Sequence, residues 1–299
     1  MTPKAELPQQ HCTLDSRPTG FCTSCAENPR PALAALASAQ TVVQWASREP
    51  SCAKQMIADG APSRSSGSHE NRLLASLPLS DMARLSSHLH VTSIEPGAVL
   101  QLQGHPTEYV YFPHEGLVSL LATTSDGQMI QAASVGRAGA ICPVRKLDVH
   151  EGFLTAIALT GMQVSRIDLK TINEAQQERE TIREALRGCR EEVLFQLRQN
   201  IVCCGVHSAK HRLSRWMLET ADRLGRNVTT IPVGQGVVGQ CLGVRRTTIT
   251  LMARNLRERG AIRWGRSRVE IMDRALLESM VCPCYAALRE RTNRAFRIP

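Results

Sequence analysis

Nowhere in the 299 residues does an apolar run approach the roughly 20 residues that cross a bilayer, and the N-terminus lacks the hydrophobic region of a signal peptide. These absences argue against a helical membrane protein and predict a cytoplasmic one. No Ser/His/Asp arrangement, phosphate-cradling glycine loop or paired-carboxylate motif stands out, so the chain is not expected to be an enzyme. Cysteine, by contrast, is plentiful: eleven, an odd number, scattered rather than set in a framework. Without a secretory signal these read as free thiols or ligands, not disulfides.

The net charge of +9 is unevenly spread. From Val206 to Pro299 there are 18 Lys+Arg and 7 Asp+Glu, hence +11, whereas the preceding 205 residues sum to −2. A terminal third this basic predicts a polyanion partner bound by that third.

Residues 1–69 are rich in small polar residues, with "PSRSSGSHE" at the end, and predict a disordered arm with a linker. From Asn71 the texture changes. Two short helical patterns flank Pro78, and then come strand-like pieces: "AVLQLQG", "YVYFP", "GLVSLLATT", "MIQAASVG" and "TAIALTGMQVSRID". Turn signals such as Glu95-Pro96-Gly97 and Asp126-Gly127 separate them, as in a small β-barrel or roll. A long helical pattern follows, about Leu169 to Cys204. Ile182, Leu186, Cys189, Val193, Leu197, Ile201 and Cys204 step by three or four residues along one face. One apolar seam on a long helix between two domains predicts pairing with a second copy.

The most informative stretch is "GQCLGVRRTTITLMARNLRERG", Gly239 to Gly260. Ile249, Met252, Ala253 and Leu256 fall at i, i+3, i+4 and i+7, so one helix face goes to a core. Arg246, Thr247, Thr250 and Arg254 lie off that face. Upstream, Val238 and Leu242 supply the apolar contacts of a shorter helix. Gly239 suits a close helix crossing, and Gly243 a tight turn at positive φ. The pattern predicts a helix-turn-helix: Gln235 to Leu242, a turn through Arg245, and a second helix from about Arg246. Its arginines suit guanine edges, its threonines bases or phosphate, and its N-terminus phosphate. Beyond it, "AIRWGRSRVEIMD" alternates as a β-hairpin with Arg266 and Arg268 at the tip, a wing for backbone phosphates.

In this order of elements the chain resembles the Crp/Fnr transcription regulators, over about residues 71 to 288. "NRLLASLP", "VYFPHEGLVSLL", "SVGRAGA", "VHSAKHRLSRWML" and "LGVRRTTITL" are similar to the subgroup without an evident cyclic-nucleotide site. The resemblance implies an α+β fold: an N-terminal cyclic-nucleotide-binding-like β-roll sensor (71–168), a long dimerisation helix (169–205), and a C-terminal winged helix-turn-helix DNA-binding domain (206–288), then a basic tail (289–299). It implies a homodimer on a roughly palindromic site with half-sites about 34 Å apart. Double-stranded DNA, RNA polymerase and an unidentified small-molecule effector would be its partners, with no membrane. Arg245, Arg246, Thr247, Thr250, Leu251 and Arg254, with Arg266 and Arg268 on the wing, are the expected DNA contacts. Where relatives reading the best-known palindrome carry Arg-Glu and a second Arg, this chain has Arg246, Thr247 and Leu251. Its operator should therefore differ.

The same resemblance bears on the sensor. Cyclic-nucleotide binders use a Gly-Glu pair and Arg-Ser; here Ala140-Ile141-Cys142 and Gly152-Phe153 stand near those places, with Arg145 and Lys146 out of register. A bound phosphate would lack its arginine, which argues against cyclic AMP. The iron–sulfur branch uses N-terminal cysteines plus one in the roll. Cys12, Cys22 and Cys25 are the candidates, but Ser165 stands where the roll cysteine would be. A cysteine-based redox or metal-sensing regulator is therefore the alternative reading, and Cys282-Pro283-Cys284 is a further, slighter metal signal. A cupin-type metal-dependent enzyme is a third, resting on His88, His90 and Glu95. No glycine begins that motif and no second histidine motif follows it.

Overall fold

The computed structural model describes residues 71–141, 152–225 and 228–295. The arm 1–69, with Cys12, Cys22 and Cys25, and the segment holding Cys142, Arg145 and Lys146 lie outside them.

The described chain begins at Asn71, which is fully buried. Its side-chain oxygen accepts from the N–H groups of Leu73 and Leu74, capping α1 (Arg72–Ala75). Its amide donates to the carbonyls of Pro113 at 2.8 Å and Gly139 at 2.9 Å. After α2 (Leu79–Ser86) come seven strands: β1 (His90–Ile94), β2 (Val99–Gln101), β3 (Tyr109–Pro113), β4 (Val118–Thr123), β5 (Met129–Val135), β6 (Thr155–Ala158) and β7 (Met162–Asp168). They form two antiparallel sheets, ordered β1-β7-β3 and β2-β6-β4-β5. Ile94, Met162 and Val164 from one sheet meet Val118, Leu120, Ala156 and Ala158 from the other, filling the roll with side chains. His90 opens β1, opposite Arg166; β1 escapes a periodicity reading because His90 and Ser93 are polar and exposed.

Both sheets are covered on their outer faces as well. Val110, Phe112 and Ile167 turn toward α1 and the helices that follow the roll. Leu117, Leu121, Met129 and Ile157 share a core with Trp216, Val238, Leu242 and Ile249 of the C-terminal half. Burial on both faces is why these strands read as nearly continuous apolar runs.

The long helix is two helices, α3 (Leu169–Glu178) and α4 (Glu180–Val206), which corrects the expectation of one helix from Leu169 to Cys204. Arg179 between them is extended, at φ −123° and ψ 111°. The cause is Asp81, buried on α2, whose carboxylate accepts from Arg179 and from the Thr181 hydroxyl. A buried carboxylate requires such partners, and reaching it breaks the helix.

The expected seam residues have different surroundings within the chain. Ile182, Leu186 and Cys189 belong to the chain's own core with Leu85, Phe112 and Ile172, and Val193 and Leu197 pack against the roll. Ile201 and Cys204 alone of that set are exposed. A 3.6-residue period locates an apolar face but not what covers it.

The C-terminal half continues with α5 (Ala209–Leu224), β8 (Thr230–Ile231), α6 (Gln235–Leu242), α7 (Arg246–Glu258), β9 (Ile262–Trp264), β10 (Val269–Ile271), α8 (Arg274–Ser279) and α9 (Cys284–Ala295). The small sheet is ordered β8-β10-β9. Residues 289–295, expected as a basic tail, continue α9 onto α4: Arg291 faces Glu191 and Glu192, and Thr292 donates to Glu192 at 3.2 Å. The acidic face of α4 draws in this basic segment.

Candidate nucleic-acid interface

The turn between α6 and α7 fixes the geometry of the site. Gly243 closes α6 in the left-handed region, φ 62° and ψ 38°, which a residue with a Cβ adopts at a cost. A Cβ on Gly239 would stand 3.0 Å from the carbonyl oxygen of Val244 and 3.5 Å from Ile249, so a side chain there would push the turn away by a few tenths of an ångström. A Cβ on Gly236 would meet nothing within 4 Å.

Helix α7 opens with Thr247, Thr248, Ile249 and Thr250, β-branched residues that favour helix weakly. Packing of its inner face holds it: Ile249, Met252, Ala253 and Leu256 are buried. Each such side chain contributes about 1.5–3 kcal/mol at the larger sizes. The opposite face is open. Arg245, Arg246, Thr247, Thr250 and Arg254 are exposed, and Leu251 is 69% exposed. Arg245 occupies the cap position without a side-chain hydrogen bond, and the first turn carries no acidic residue. The positive end of the helix therefore meets solvent with two guanidiniums beside it, an arrangement suited to a phosphate. The Thr250 hydroxyl donates to Gln235 at 2.8 Å and lies 3.1 Å from the Arg246 carbonyl, while Arg254 pairs with Glu258 at 2.7 Å.

In the hairpin, Val269 pairs with Trp264 and Ile271 with Ile262. The Gly265 N–H donates to Arg268 at 2.9 Å to close the tip, leaving Arg266 and Arg268 exposed. Arg263 and Glu270, paired across the strands, lie 3.4 Å apart.

The unit is docked on the roll. Trp216 donates its indole N–H to Gln131 at 2.8 Å, and the Gly243 turn lies against Ile130. Cys241 is buried under the same contact, and burial pushes its thiol up to about 12, far from a reactive thiolate. A cavity of about 770 Å³ lies between the "SVGRAGA" loop, α4, α5 and α9; Arg72, Arg137, Glu192, Arg223 and Arg289 are among its lining residues.

Among the described residues, one group of His/Cys/Asp/Glu side chains has metal-ligand proximity: Cys203, His207, Cys282 and Cys284. Sequence reasoning flagged Cys282 and Cys284 but missed Cys203 and His207. Their i, i+4 spacing at a helix end was the available signal. His88, His90 and Glu95 form no such group among the described residues. Ser165 is buried and 2.8 Å from the His114 imidazole.

Residues 211–280 match the family model of the Crp-like helix-turn-helix domain. No curated protein matches the sequence. Among solved structures, FixK2 from Bradyrhizobium japonicum is similar with a TM-score of 0.56 and 18% identity, over 65% of this chain and 98% of that one. A Crp/Fnr-family transcriptional regulator from Eubacterium rectale gives 0.57 and 14%, over 71% and 99%. The c-di-GMP-responsive global regulator CLP of Xanthomonas campestris gives 0.56 and 12%, over 66% and 100%. The chain carries a Crp-like helix-turn-helix domain, and its fold is similar to that of these regulators. The matched segment of this domain runs from early in α5 through the wing to α8, so it contains the whole uncapped α7 terminus.

Proposed function

We propose that the chain binds a roughly palindromic DNA site as a homodimer, each copy laying α7 in the major groove and its hairpin on the flanking phosphates. The observation that carries this is the exposed, arginine-headed N-terminus of α7, held in place by a buried inner face and a glycine turn. Arg245, Arg246, Thr247, Thr250, Leu251 and Arg254 take base edges and nearby backbone, and Arg266 and Arg268 take phosphates. Leu251, apolar and exposed, suits a thymine methyl.

Support for pairing comes from the second half of α4. Leu194 is 55% exposed and Ile201 72%, with Val202, Cys204 and Val206 exposed nearby and Leu197 partly so. Leu194, Leu197, Ile201 and Cys204 stand at heptad spacing, and that exposed stripe is the self-pairing face in this reading. The roll acts as sensor, and the cavity between the two halves is large enough for a small effector. An effector binding there couples to DNA only if it favours one arrangement of the halves over another. Selection of bound sites from random double-stranded DNA tests the proposal. A recovered inverted repeat with half-sites one helical turn apart is expected; recovery of no preferred sequence at physiological salt overturns it.

A further inference from the structure

Cys203 and His207 lie one helical turn apart, at the end of α4 and in the residue that closes it, where the His207 N–H donates to the Cys203 carbonyl at 3.0 Å. Cys282 and Cys284 flank Pro283 at the start of α9. Folding brings these two pairs together, with the three sulfurs and one imidazole nitrogen all within 4.8 Å of one another. Cys203 Sγ is 3.6 Å from Cys282 Sγ, and Cys284 Sγ is 3.6 Å from His207 Nδ1. A tetrahedral zinc site with Zn–S of about 2.3 Å and Zn–N of about 2.0–2.1 Å has ligand–ligand edges of about 3.5–3.8 Å. These two edges fall in that range, and the other ligand separations lie within 4.8 Å. A disulfide would need its sulfurs at about 2.05 Å.

Three buried thiols alone could pack as small apolar side chains. Two further observations point to an ion. One is the imidazole, a polar ring that turns Nδ1 toward the thiols rather than to water. The other is Arg215 of α5, 5% exposed, whose Nε has no hydrogen-bond partner among the described residues. It lies within electrostatic reach of Cys203, Cys282 and Cys284, and a carboxylate, Glu219, stands 3.3 Å from Nη1. A divalent ion with three thiolates and a neutral imidazole carries one net negative charge. Glu219 is shared with Arg223, so the buried Arg215 guanidinium keeps positive charge to complement it.

We propose that Cys203, His207, Cys282 and Cys284 bind one zinc ion in a closed Cys3His site that staples the C-terminal helix of the DNA-binding half to the end of α4. Three soft thiolates and an imidazole close enough to share one ion select zinc over harder divalent ions. Each coordinating cysteine releases its proton to solvent on binding, and no electron transfer is involved. The ion sits beside His207 and Ser208, where α4 gives way to α5, and fixes the angle between them. Cys204, next to Cys203 but exposed and facing Arg212, is not a ligand.

The test uses the full chain purified under reductant. Metal analysis is expected to return one zinc per chain. Cobalt added to the zinc-free chain should give thiolate-to-cobalt charge transfer and the intense d–d absorption of a tetrahedral site, bleached by added zinc. Cys284→Ser and His207→Gln should each lower zinc affinity by more than the roughly 10- to 100-fold typical of outer-shell changes, with Cys204→Ser unchanged. If a variant fails to fold, alkylation of the unaltered chain decides: zinc should shield Cys203, Cys282 and Cys284 but leave Cys204 reactive. Three results overturn the proposal: no tetrahedral cobalt spectrum, equal alkylation with and without zinc, or full retention of the metal by a Cys282→Ser/Cys284→Ser chain. Because the readout is the metal itself, its failure is separate from failure of the DNA-binding reading.

Discussion

The Gln196 side chain pairs with both backbone groups of Ser134, accepting from its N–H at 3.0 Å and donating to its carbonyl at 3.2 Å. Ser134 lies on β5, at the open edge of its sheet. An edge strand presents unpaired N–H and C=O groups, and here a helix side chain takes the place of the missing strand. One turn on, Asn200 donates to the Ala132 carbonyl at 2.7 Å and accepts from Arg215 of α5. This row ties α4 to its own roll.

Gln196→Leu should therefore strand two buried backbone groups, each costing about 1–3 kcal/mol. Urea unfolding should report a loss of about 2–4 kcal/mol. A loss below about 0.5 kcal/mol would mean that α4 is held to β5 by apolar packing alone.

A second polar contact sets a pH dependence. The Thr181 hydroxyl above all, with the Arg179 guanidinium, holds the Asp81 carboxyl below its ordinary 3.8. Because the folded value is lowered, the stabilisation is complete above 3.8 and fades as pH falls through the folded value. Unfolding midpoints measured from roughly pH 5 downward should fall more steeply for the native chain than for Asp81→Asn. Parallel curves would remove Asp81 as the lock at the α3–α4 break.

The limits of sequence reading follow from the same contacts. Local rules sufficed for the helix-turn-helix, since Gly243, the buried positions of α7 and the hairpin pairing each follow from residues a few places apart. What they miss is long-range. Asp81 breaks a helix about a hundred residues away, and Arg291 docks on α4 because Glu191 and Glu192 lie there. The seam residues Ile182 to Cys189 look alike whether a partner or the chain's own roll covers them. Cys203 and Cys282, 79 residues apart, meet only in the folded chain.

Two glycines of α6 should respond in opposite directions. Gly236→Ala adds a methyl where nothing lies within 4 Å and removes the flexibility cost of glycine, so a gain of about 0.5–1 kcal/mol is expected. Gly239→Ala forces a methyl to 3.0 Å from the Val244 carbonyl and should cost stability and DNA affinity together. Thermal unfolding that ranks both variants on the same side of the native chain would contradict the close crossing.

On DNA, Arg246→Ala should cost about 1–3 kcal/mol against the selected site and little against random duplex. Arg268→Ala should weaken all duplexes alike and reduce the slope of affinity on salt by about one. Titrations of selected and random DNA across a salt series separate the two. An Arg246→Ala chain that keeps full discrimination would move base reading to other residues.

Self-pairing is best tested where α4 leaves its own roll. Val193 packs partly against the roll, so a charge there would disturb folding and pairing together. Ile201, 72% exposed, carries no such ambiguity. In a dimer joined along the Leu194–Ile201 stripe, Ile201→Asp would bury two facing carboxylates without partners, a cost of several kcal/mol. Sedimentation should show monomers with an unaltered circular dichroism spectrum and, because two half-sites are then bound independently, a much weaker hold on the full palindrome. A dimer that survives this change would require pairing through a different surface.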